Sequence, residues 1–193
     1  MRSISATMFM TLDGVVQGLG HAGEDTRGGF TCGGWGARYQ DEELAAEMGK
    51  GMARTGAMLF GRRTWQDFIR VWASATDGNP YTAHMNAVTK YVVSETLPDA
   101  HAWPNSVLLR GLDDVKGLDG DVSIVGSAAL VRSLHAAGLV DRYTLVIHPL
   151  TLGSGARLFE GPAPLTEFEL TGSVTTGSGL IIADYARVSP AAP

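Results

Sequence analysis

Two glycine-marked turns hold the residue types best suited to gripping an anion. Met58-Leu59-Phe60-Gly61-Arg62-Arg63-Thr64-Trp65 runs from an apolar stretch into two adjacent arginines and a threonine. Val122-Ser123-Ile124-Val125-Gly126-Ser127-Ala128-Ala129-Leu130 repeats the plan, with a serine after the glycine. In each, a short strand would feed a helix, whose first amides lack intrahelical partners and attract negative charge. Gly61 permits a tight turn or close ligand approach, and Thr64 can cap the helix or touch phosphate. Arg62 and Arg63 add forked charged donors suited to a terminal phosphate. Ser127 can cap the second helix while Gly126 lets a ligand pass near the strand end. Each turn also has a plainer reading, a solvated basic turn for the first and an ordinary capped helix for the second.

Other groups compete for the chemistry. Ser94 ends Tyr91-Val92-Val93 and supplies a third polar strand end. Asp13 follows the first strand-like segment, where it can orient a substrate or simply make an Asp13-Gly14 turn. Trp35 and Tyr39 can stack a flat ligand or anchor a loop. Cys32 has no evident base partner and reads as a surface thiol or a packing residue. His84, His101, His135 and His148 are scattered, with no acid or cysteine set at metal-ligand spacing, so no metal is expected.

These residues need a scaffold of alternating strands and helices. Ile4, Ala6 and Met8 alternate with Ser3, Ser5 and Thr7, marking a strand over residues 2–10. Residues 11–38 read as a glycine-rich loop, long enough to suggest a wall or lid. Helices are expected over 41–54, 64–71 and 128–137, and strands over 57–60, 91–94, 106–109, 122–125 and 143–147. Gly78-Asn79-Pro80 reads as a break. Residues 167–170 and 179–185 read as a terminal antiparallel hairpin joined by 171–178. The sum is one three-layer α/β domain over 1–188, with 189–193 as a flexible tail.

Composition narrows the setting. The chain has 193 residues, 45% hydrophobic, with a formal charge of -5, which argues against a general nucleic-acid binder. No apolar span approaches the roughly 18 residues of a membrane helix. The lone Cys32 excludes an internal disulfide framework and fits a reducing, cytoplasmic setting.

Several segments recur in the order of one family. They are Ser5-Ala6-Thr7-Met8-Phe9-Met10-Thr11-Leu12-Asp13-Gly14-Val15, Leu59-Phe60-Gly61-Arg62-Arg63-Thr64-Trp65, and Tyr91-Val92-Val93-Ser94. Later come Ile124-Val125-Gly126-Ser127-Ala128-Ala129-Leu130, Gly138-Leu139-Val140-Asp141-Arg142-Tyr143, and Pro149-Leu150-Thr151-Leu152-Gly153-Ser154-Gly155-Ala156-Arg157-Leu158-Phe159. Together they resemble the dihydrofolate reductase-like superfamily, above all the reductase domain of bacterial riboflavin biosynthesis and its small stand-alone relatives. The resemblance implies a mixed, mostly parallel sheet with flanking helices, a C-terminal antiparallel hairpin, and NADPH bound across the carboxyl edge. It assigns Gly61, Arg62, Arg63 and Thr64 to the adenine-side phosphates, with Arg62 on the 2'-phosphate. It places Ser94 near the adenosine, and Gly126, Ser127, Ala128 and Leu130 near the pyrophosphate and nicotinamide. It also implies a homodimer and a small pterin-like or pyrimidine-like substrate. Dihydrofolate reductases carry an acid at the helix start after a tryptophan-containing loop. Here that spacing falls near Gln40, leaving Asp41 either as the proton-handling acid or as a helix-terminal acid. A nonenzymatic NADP(H)-binding module that retained the fold is the alternative to a reductase.

Overall fold

The computed structural model describes residues 2–188; the expected tail, 189–193, lies outside the described residues. Eight strands form one sheet in the order β4-β3-β2-β5-β1-β6-β8-β7. They are β1 (Ser3–Thr11), β2 (Ala57–Gly61), β3 (Thr89–Val93), β4 (Ser106–Leu109), β5 (Asp121–Val125), β6 (Arg142–His148), β7 (Phe168–Thr175) and β8 (Ile181–Arg187). The pairs from β4 through β6 are parallel, and β8 runs antiparallel to both β6 and β7. Parallel strands bring their carboxyl ends to one edge, so the loops after β1, β2, β5 and β6 gather there.

Strand alternation divides the core into layers. In β2, Ala57 and Leu59 face a cluster with Ile4, Ala6, Met8, Val122 and Ile124. Helix α5 (Ala128–Ala136) closes that face through Leu130, Val131 and Leu134, and α4 (Leu112–Lys116) adds Val115. Met58 and Phe60 face the other way, onto Trp65 of α2 (Arg62–Phe68), Met85 of α3 (Pro80–Ala87) and Trp103. Further along that second face, Leu44 and Met48 of α1 (Glu42–Ala53) pack on Val146 and Ile182. The result is the expected three-layer α/β plan.

Four local expectations are corrected. Helix α2 starts at Arg62 directly after the strand, with Gly61 as its N-cap, and not near Thr64. It continues as a π-helical turn, Ile69–Ala73. The supposed break at Pro80 is a helix start, because proline at the first turn loses no intrahelical bond. Asn79 caps it by accepting a hydrogen bond from the Tyr81 amide. Helix α4 also went unforeseen. Strand β7 runs on through Thr175, since an outer strand needs no apolar run to pair; the hairpin turn lies beyond it.

Candidate functional site at the carboxyl edge of the sheet

The two glycine turns meet. The Gly61 amide donates to the Ser127 hydroxyl at 3.0 Å, tying the end of β2 to the start of α5. Ser127 sits in the left-handed region (φ 58°, ψ 49°), directly after Gly126 at φ 76°. Such a pair of residues costs strain at the serine and bends the backbone sharply away from the strand. This corrects the sequence expectation that Ser127 caps its own helix: its side chain makes no cap there. The first helical bond runs from Val131 to the Ser127 carbonyl, so the amides of Ala128, Ala129 and Leu130 precede the helical ladder.

Arg62 is also positioned from elsewhere. Its guanidinium donates to the Thr96 hydroxyl at 2.9 Å. The Ser94 hydroxyl, in turn, accepts the amides of Thr96 and Leu97 at 3.3 and 3.0 Å. Ser94 therefore shapes the turn that orients Arg62. Arg63 is exposed and makes no salt bridge among the described residues.

A cavity of about 920 Å³ follows the sheet edge past these groups. Gly61, Arg62, Arg63, Thr64, Gly126, Ser127, Ala128 and Leu130 all line it. Met8 and Phe9 of β1 and Ser154, Gly155 and Ala156 form its other end. The long loop after β1 supplies the outer wall, through Val16–Leu19 by number and Phe30. Four hydrogen bonds hold that wall. The Val16 amide donates to Ala156, the Ala156 amide donates to the Gln17 carboxamide at 3.0 Å, and Gln17 donates to the Asp25 and Arg27 carbonyls.

Five predicted site residues lie outside this lining: Ser94, Asp13, Asp41, Trp35 and Tyr39. Trp35 is an anchor; its indole donates to the Gln17 carbonyl at 2.7 Å. Tyr39 is buried, with its ring 5.3 Å from that of His148. Asp13 accepts from the Thr11 hydroxyl at 2.6 Å and from the Leu152 and Gly153 amides at 3.2 and 2.8 Å. Those bonds, the threonine hydroxyl foremost, hold its carboxyl below the usual range. Asp41 is the N-cap of α1, accepting the Leu44 amide at 2.8 Å and also the Ser178 hydroxyl. The serine contact above all keeps it well below an ordinary carboxylate. Both acids are engaged as hydrogen-bond acceptors, Asp13 in a turn between two loops and Asp41 as the helix-terminal acid of its second reading.

Gln17 escaped the sequence reading, and His148 figured there only as one of four scattered histidines. Gln17 matters through partners up to 139 positions away, which no local pattern reveals. His148 is buried, with Nδ1 at 3.2 Å from the Met10 and Val146 carbonyls. Its Nε2 has no partner among the described residues. Burial pushes its pKa down. Among the described residues, no group of His, Cys, Asp or Glu is arranged to hold a metal, and no helix is long and apolar enough to cross a membrane.

The arrangement is thus a donor-rich cradle at the β2 and β5 ends, where Arg62 and Arg63 stand in a lining that also holds Asp67, opening into a chamber beside β1. Solved structures share its scaffold. A putative riboflavin biosynthesis protein from Shewanella sp. PV-4 superposes with a TM-score of 0.65 at 17% identity, covering 97% of this chain and 99% of that one. A pyrimidine reductase-like protein from Corynebacterium diphtheriae gives 0.65 at 13% identity, over 97% and 92%. Dihydrofolate reductase from Enterococcus faecalis, solved with NADP(H), gives 0.60 at 13%, over 97% of each. The fold is therefore of the dihydrofolate reductase type. The chain belongs to the RibD C-terminal domain family, whose model matches residues 2–182. A curated relative, the uncharacterized protein YyaP of Bacillus subtilis, is 26% identical over 131 residues, spanning 64% of this chain and 70% of the relative.

Proposed function

We propose that this protein is an NADPH-dependent oxidoreductase that reduces a small pterin-like or pyrimidine-like compound. The observation that carries this is the joined pair of turns, in which Ser127 bonds Gly61 instead of capping α5. The amides of Ala128, Ala129 and Leu130 are thereby left to a phosphate. An anion there gains amide hydrogen bonds and the favourable end of the helix dipole. Arg62, steadied by Thr96, and Arg63 match a further phosphate on the adenosine side. The residues fit the dinucleotide, since Gly126 holds a left-handed backbone that brings the chain past the ligand without a side chain. When bound, NADPH supplies hydride. The chain's own task is then to align the two reactants and exclude water, which Phe9, Val16 and Phe30 do by walling the chamber.

Titration of the purified protein with NADPH and NADH, followed by nicotinamide fluorescence, tests the cofactor. NADPH is expected to bind more tightly. Arg62→Ala is expected to cost NADPH about tenfold, matching the loss of one charge-assisted contact, and NADH little. Equal losses would remove Arg62 from the 2'-phosphate, and no binding of either dinucleotide would overturn the reductase assignment.

A further inference from the structure

The turn that follows β3 gives its backbone groups to just two side chains. The amides of Thr96 and Leu97 go to the buried Ser94 hydroxyl. The carbonyls go to one guanidinium. Arg110 donates to the Leu97 carbonyl at 2.8 Å and to the Pro98 carbonyl at 3.3 Å. Longer bonds, of 3.4 and 3.5 Å, reach the Ser94 and Glu95 carbonyls. Arginine suits this post because its planar fork carries several donors in fixed directions. Among the described residues Arg110 makes no salt bridge, so the turn is its partner.

Sheet register brings Arg110 to this place. Val93 pairs with Leu109 in parallel, and the Ser94 amide donates to the Leu109 carbonyl at 2.9 Å, so β3 and β4 leave the sheet side by side. The Arg110 amide donates to the Asp114 carboxylate at 2.6 Å, which ties its backbone to the first turn of α4. Within 94–98, Thr96 is the residue whose carbonyl takes no bond from Arg110. Its hydroxyl reaches across to α2 and accepts Arg62 at 2.9 Å. Arg62 lines the cavity, whereas Thr96 and Arg110 stand outside the lining. Both therefore bear on the cavity through Arg62.

A long, half-exposed arginine that is free in solvent loses rotamer freedom when it grips a phosphate. A hydrogen bond made beforehand removes part of that loss. Thr96 takes one N–H of Arg62 and leaves the remaining donors of the fork for an anion. Resting on the cofactor reading above, we propose that Arg110 and Thr96 are positioning residues that set the preference for NADPH over NADH. Arg110 clamps the 94–98 turn, the turn presents the Thr96 hydroxyl, and that hydroxyl holds the Arg62 guanidinium ready for the 2'-phosphate. NADH lacks that phosphate, so the clamp contributes nothing to its binding.

Titration of each variant with NADPH and with NADH, read by nicotinamide fluorescence, tests the clamp. Thr96→Val keeps the shape and deletes the hydroxyl. It is expected to weaken NADPH about threefold to tenfold, the worth of holding one long side chain in place, with NADH unchanged. Thr96→Ser keeps the hydroxyl and should keep NADPH affinity. Arg110→Lys retains the charge but replaces the fork with a point donor, and a selective NADPH loss of similar size is expected. In an Arg62→Ala background, both substitutions should move NADPH by less than about twofold, because nothing remains for them to position. Equal losses for the two dinucleotides overturn the proposal and mark the turn as structural only. A loss that persists without Arg62 overturns it too, and marks a direct contact with the phosphate. Full NADPH preference in Thr96→Val and Arg110→Lys also overturns it, while a selective loss in Arg62→Ala leaves the cofactor reading standing. If Arg62→Ala weakens both dinucleotides alike, that reading and the proposal fall together. Should Arg110→Lys not fold, the two Thr96 variants decide.

Discussion

The two halves of the carboxyl edge treat their polar residues in opposite ways. At the β2 and β5 ends, Ser127 is drawn across to Gly61, and the first amides of α5 are left available. At the β1 and β6 ends, Asp13 is consumed by Thr11 and the Leu152 and Gly153 amides. Its neighbour Arg157 donates to the Asp13 carbonyl at 2.9 Å, completing a clasp between the two loops. One half spends side chains to expose donors. The other spends them to hold a wall in place. A polar residue after a strand is thus ambiguous until its partners are known, because the same carboxylate can serve a ligand or a loop.

The largest expected effect lies in the open half. Gly126→Val should weaken NADPH binding about tenfold to hundredfold, because a β-branched residue at φ 76° strains the backbone by roughly 1–3 kcal/mol. Dinucleotide titration reads it; unchanged affinity would detach this turn from the cofactor.

A smaller effect, on stability, belongs to the clasp. Asp13→Ala leaves two amides and a hydroxyl without their acceptor and should cost about 1–2 kcal/mol in urea unfolding, part of it recovered by solvent. NADPH affinity should move less than threefold, a small change beside that of Gly126→Val. A loss of affinity larger than the loss of stability would return Asp13 to the ligand site and erase the contrast.

The smallest effect is conditional on pH. His148 has its pKa lowered from 6.5 by burial. The unfolded chain then binds more protons than the folded one as pH falls below that value, so stability is full above it and declines below. Phe9, Trp35 and Tyr39 surround the ring, and the nearest oxygens are the Met10 and Val146 carbonyls. His148→Phe should flatten the acid side of the stability curve, leaving the parts due to His84 and His135, which burial lowers similarly. An unchanged slope would show that this box tolerates the imidazolium.

Much of the architecture is legible locally. Apolar alternation in Ile4, Ala6 and Met8 marks β1, and the run Val122 to Val125 marks a strand covered on both faces. Glycine at the end of β2 and just after β5 marks the turns that line the cavity. Helix α3 was hidden because Pro80 stops a helix in mid-run and starts one at its first turn. Only the Asn79 cap distinguishes the two. Strand β7 was cut short because its polar residues gain little from burial and take their order from pairing with β8.

The amino-acid order by itself determined which segments extend, which coil, and where arginines, glycines and hydroxyls stand relative to strand ends. Those are consequences of periodicity and local backbone preference. The folded structure alone decided which polar groups remain open to a ligand. Ser127 belongs to Gly61, Asp13 to Leu152 and Gly153, and Asp41 to Ser178 through contacts spanning 66 to 140 positions. Hydrogen bonds of that reach form only when the sheet has set its strand order, so no local pattern can assign them.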